Sequence, residues 1–60
     1  MEVYIVNENG NNVSCFKSFE SAVNFITKAS GFSCEDVTRD LLEIGAVADF
    51  WTVETMEVFD

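Results

Sequence analysis

The dipeptide Asn9-Gly10 lies between two short runs of β-branched and aromatic residues, and it constrains the fold more than any other feature. Both residues tolerate the positive φ of a tight hairpin turn, which most residue types resist. Glu2 to Val6 therefore reads as a first strand, Asn7 to Asn12 as the turn region, and Val13 to Lys17 as the returning strand. A two-stranded hairpin is marginal in water by itself and needs an apolar face covered by other elements. The rest of the chain has to supply that cover.

Two helices are expected to do so. Ser18 is placed to cap the first, its hydroxyl free to accept from the unpaired amides of the opening turn. Phe19, Ala22, Val23 and Ile26 follow at i, i+3, i+4 and i+7 and form one apolar stripe, widened by Phe25 and Ala29. Glu20, Ser21, Asn24, Thr27 and Lys28 fall on the other side, and Gly31 stands where a glycine ends a helix. A second helix starts at once, with Ser33 and Asp36 spaced as a capping box. Cys34, Val37, Leu41 and Ile44 are its expected buried stripe; Gly45 stops it, or Ala46-Val47-Ala48 adds a further turn.

The stretch Phe50 to Phe59 reads as a terminal strand with a conflict inside it. Trp51 and Val53 share one face, while Met56 and Val58 share the other. A flat strand cannot bury both pairs on one side, so a bulge or break is expected near Glu54-Thr55. The element order is then ββααβ: one α+β domain over residues 1–60, a three-stranded antiparallel or mixed sheet with two helices packed on one face. At 60 residues and 48% apolar content the chain is rich enough in core residues for a fold, but small enough that each large one matters.

Charge narrows the function. Eleven acidic residues against three basic ones give a net charge of −8. Residues 31–60 hold eight of those carboxylates against Arg39 alone, a net of −7. Such a surface repels nucleic acid and anionic lipid and attracts basic protein surfaces. Met1-Glu2 opens no basic leader, and no apolar run approaches the ~20 residues of a membrane span, so a cytoplasmic protein is expected. Cys15 and Cys34 are read there as reduced, partly buried thiols.

No catalytic, metal-binding or cofactor role is expected. The chain has no histidine, the commonest general base and metal ligand. Two cysteines nineteen residues apart do not make a zinc site, and a cysteine nucleophile would lack its activating imidazole. No spaced Asp/Asn loop resembles a calcium site, and no glycine-rich loop precedes a helix to cradle phosphate.

Two surfaces are candidates for contact with a partner. Asp36, Asp40 and Glu43 fall at i, i+4 and i+7, within roughly 60° of one another on the polar side of the second helix. Glu35 precedes Arg39 by four residues, the favourable order for a helical ion pair, which leaves the other three as an unpaired acidic ridge. The plainer reading of that ridge is solvated polar surface; the sharper one is a row of charge imitating a phosphate backbone. The second candidate is the aromatic edge of Phe50, Trp51 and Phe59. These pack into the core, or they anchor a partner, or an exposed edge strand carrying them pairs with a second copy.

The run VYIVNENGNN into SCFKSFESAVNFI, closed by TMEVFD, resembles the small acidic accessory proteins of tailed phages. That resemblance implies an inhibitor of a host protein in the host cytoplasm, of the anti-CRISPR, anti-restriction or host-takeover type, or a modulator of transcription or nucleases. The leading expectation is a non-enzymatic protein whose acidic surface occupies a basic, nucleic-acid-binding site as a DNA mimic. The alternative is an apolar interaction module, as a homodimer or antitoxin-like partner, with the acidity serving solubility.

Overall fold

The computed structural model describes residues 1–59, and in it the hairpin follows from its turn chemistry. Strands β1 (Glu2–Glu8) and β2 (Asn11–Phe16) are antiparallel and joined by Asn9-Gly10 alone. Asn9 at φ 50° and Gly10 at φ 88° are both left-handed, the geometry of a type I′ turn. Because two residues suffice to turn the chain, Glu8 pairs with Asn11 and Asn7 with Asn12, and both strands run further toward the turn than expected. The register slips between Val6, opposite Ser14, and Asn7, opposite Asn12, so Val13 is the extra residue of a bulge in β2.

Helix α1 (Phe19–Ser30) begins at Ser18, whose Oγ accepts from the Ser21 N–H at 3.1 Å. It ends at Gly31, left-handed at φ 84°, whose N–H donates to Thr27 O at 3.0 Å. Ala22, Val23 and Ile26 are buried, with Phe19 and Phe25 packed beside them. Helix α2 (Cys34–Glu43) begins at Ser33, whose Oγ accepts from the Asp36 N–H at 3.1 Å. Gly45 stops it, its N–H donating to Asp40 O at 2.9 Å. The buried stripe of α2 is shorter than expected: Val37 is buried and Leu41 partly so, but Cys34 is exposed and Ile44 is 71% exposed. α2 rests on α1, and only the middle of this short helix is covered there.

Ala46-Val47-Ala48 does not extend α2. Val47 instead enters the core and bridges to Trp51, with Val47 N donating to Trp51 O at 2.8 Å and Trp51 N to Val47 O at 3.0 Å. The turn between them puts Ala48 and Asp49 both at φ 54°, where a Cβ is unfavourable.

Strand β3 (Trp51–Glu57) lies antiparallel to β1, giving the order β2-β1-β3. The expected bulge near Glu54-Thr55 is absent: pairing runs unbroken from Glu2 opposite Glu57 to Glu8 opposite Trp51. Bonds from Val58 N to Met1 O (2.6 Å) and from Asn9 N to Phe50 O (2.7 Å) prolong the same register at both ends. The conflict seen in the sequence is resolved by exposure. Keeping the ladder intact leaves Met56 and Val58 exposed while Trp51 is buried.

One core results. Val6 and Trp51 from the sheet, Ala22, Val23 and Ile26 from α1, Val37 from α2 and Val47 from the loop form a single buried cluster, so both helices cover the same face of the sheet. Tyr4–Phe19 at 6.0 Å and Phe25–Trp51 at 6.3 Å meet edge to face across that layer. Among the described residues no helix is long and apolar enough to cross a membrane.

Candidate functional site

The acidic ridge sits on the exposed side of α2, but its pairing differs from expectation. Arg39 Nη2 donates to Asp36 Oδ1 at 3.0 Å, and Arg39 Nε lies 3.7 Å from Asp40 Oδ1. Arg39 thus answers two ridge carboxylates rather than Glu35. Asp36 lies one helical turn before Arg39 and Asp40 directly after it, and one guanidinium reaches both through different nitrogens. The same contact draws the Asp36 carboxylate away from the Ser33 amide, so the start of α2 is a simple serine cap and not a reciprocal box. The Arg39–Asp36 pair is solvent-exposed and Asp40 is half-buried at 3.7 Å; neither pair is worth more than about 1 kcal/mol. Among the described residues Glu35 and Glu43 have no ion pair, and α2 keeps four carboxylates against one cation. The ridge is therefore Glu43 and the outer oxygens of Asp36 and Asp40, with Glu35 added.

The aromatic edge does not hold together. Trp51 is 6% exposed and belongs to the core, stacked edge-on against Phe25. Phe50 leans on Trp51 at 5.4 Å and is half-open, while Phe59 is 88% exposed beyond the far end of β3. A seven-residue strand, about 23 Å of chain, separates Trp51 from that end. Trp51 is thus withdrawn from any contact surface. β3 is an edge strand whose first residue is covered by Val47.

A third surface went unremarked in the sequence. Val6 marks the covered face of β1, so Val3 and Ile5 point the other way. Opposite them in register lie Met56 beside Val3, and Cys15 and Glu54 on the two sides of Ile5. No helix packs on this face: Val3 and Ile5 are half-buried among their neighbours, while Met56 is 53% exposed and Val58 37%. Asn7, opposite Thr52 and Asn12, lies at the polar end of the face and is itself buried, so the open part of the face runs from Ile5 toward Met56 and Val58. The signal was present in the uninterrupted apolar run Val3-Tyr4-Ile5-Val6, the pattern of a strand apolar on both faces.

Both thiols are free and exposed rather than partly buried, Cys15 on the open sheet face and Cys34 at the start of α2. Among the described residues no cavity is found and no three His, Cys, Asp or Glu side chains come together as a metal site. Comparison with family models, curated proteins and solved structures finds no match to the chain.

Proposed function

We propose that this protein is a non-enzymatic binding module that docks on a basic surface of another protein and blocks it, the natural target being a surface that otherwise holds nucleic acid. The observation that carries the reading is the net −7 of residues 31–60, whose one cation, Arg39, is already engaged by Asp36 and Asp40. Glu35 and Glu43 remain for a partner's lysines and arginines. Charge of this kind accelerates encounter and selects basic partners, and its effect weakens with ionic strength.

The uncovered sheet face supports a second reading, in which apolar contact holds the partner and the carboxylates maintain solubility; a homodimer is its simplest form. Salt separates the two. Affinity capture from a bacterial lysate at about 50 and 500 mM salt, with mass spectrometry, is expected to retain a basic protein only at the lower concentration. Release of that protein by added DNA identifies the blocked surface. Capture that is indifferent to salt overturns the charge-led reading.

A further inference from the structure

We infer that the open face of the sheet is the seat for one basic amphipathic helix of the partner, laid along β1 with its apolar stripe on Val3, Ile5 and Met56. The inference rests on the reading of the protein as the partner of a basic surface, and it says where that partner sits.

Three observations converge on it. First, β1 is apolar on both sides but packed against helices on one, and β3 adds Met56 to the other side. Tyr4, Val6, Trp51 and Val53 pack toward the helices, while Val3, Ile5 and Met56 lie on the other side, with Cys15 of β2 beside Ile5. The run Val3-Tyr4-Ile5-Val6 of β1 is the pattern of a strand with a layer on each face, and the helices provide one layer only. Second, the face has the dimensions of a helix. Two strand spacings make it roughly 10 Å across, about one helix diameter, and the seven residues of β3 make it about 23 Å long, the length of a helix of about fifteen residues. Third, charge selects among occupants. Glu54 lies on this face beside Ile5, in a protein of net charge −8. A second copy would set two such charges against each other, whereas a helix flanked by lysine and arginine answers them. Covering Glu54 with no cation opposite is costly, and a basic flank removes that cost.

The protein carries its own reporters. Cys15 lies on the proposed seat, opposite Ile5, and Cys34 lies away from it at the start of α2; both are free and exposed. The probe is a synthetic peptide of about eighteen residues, leucine on one helical face and lysine and arginine on the other. Its control has the same composition with the leucines scattered. Alkylation of each thiol in the full chain is followed by mass spectrometry at low salt, and binding of each peptide by fluorescence anisotropy.

The amphipathic peptide is expected to slow Cys15 alkylation at least fivefold and to leave Cys34 unchanged. The scattered peptide binds through charge alone and protects neither. Met56→Gln, a change at an exposed position, is expected to keep the fold by circular dichroism and to lose most of the Cys15 protection. Protection of Cys34 with Cys15 unchanged places the peptide on α2; it overturns the seat and leaves the proposed function standing. Failure of both peptides to bind overturns the proposed function and this inference together. Cys15 protection that grows with protein concentration, without any peptide, makes a second copy the occupant and overturns the inference as well.

Discussion

The two faces of the sheet are built from the same strands and similar residue types, yet they stand in opposite surroundings. On one, Val6 is fully buried and Trp51 nearly so beneath α1 and the Val47 loop. On the other, one residue away along the same strand, Ile5 is half-buried with Cys15 and Glu54 as neighbours and no helix packed on it. The difference teaches that apolar character does not decide burial here; the location of covering elements does. α1 supplies an apolar stripe for one face, α2 stacks on α1, and no element is left for the other.

The largest expected effect tests that contrast within one strand. Val6→Ala removes fully buried methyl groups and is expected to cost about 2–3 kcal/mol. Stability for a domain of this size is roughly 3–9 kcal/mol, so much of it is lost. Ile5→Ala removes more atoms but from a half-buried site, and is expected to cost less, about 1–2 kcal/mol. Urea unfolding of both variants makes the comparison. Equal losses would mean that the open face is covered in solution.

Next in size is the turn that seats Trp51. Ala48 and Asp49 both hold φ near 54°, and Gly has no Cβ to resist that conformation. Ala48→Gly is expected to stabilise by about 1 kcal/mol, raising Tm by roughly 4–8 °C, while Cys15 on the open face reacts as before. A lower Tm would show that the left-handed turn is not what holds Val47 against Trp51.

Smaller effects separate the charged surface from both faces. Asp36→Asn removes an Arg39 partner and a favourable charge at the helix start, and is expected to cost up to about 1 kcal/mol. Glu43→Gln relieves an unpaired charge at the helix end and is expected to gain a few tenths of a kcal/mol. Thermal melting reads the opposite signs, and a shared sign would break the assigned pairing. Smallest are the thiols. Cys15→Ser and Cys34→Ala are expected to change stability by less than about 0.5 kcal/mol, as at other exposed positions, with both native thiols fully titratable by a disulfide reagent.

Much of the fold was legible because its signals are local. Asn9-Gly10 turned the hairpin, Ser18 and Ser33 capped the helices, and Gly31 and Gly45 ended them, each through a backbone requirement met within a few residues. The stripe of α1 was legible for the same reason. The candidate site was less so. The helical period puts Asp36 and Glu43 at exposed positions of α2 and Asp40 at a half-buried one, but it does not choose the partner of Arg39, since four carboxylates of the same helix lie within reach. Trp51 was left between core and surface, because its burial depends on Phe25 and Val47, distant in sequence from each other.

By itself, then, the sequence determined the ββααβ order, the turn, the caps and the acidic balance, all of which are fixed by short-range sterics, hydrogen bonding and composition. The tertiary structure alone decided which apolar residues of the strands go inside. A strand offers its side chains to both faces equally, and the two helices together cover only one of them. The unbroken β1–β3 ladder then fixed the rest: holding its hydrogen bonds in one register buried Trp51 and left Met56 and Val58 in solvent.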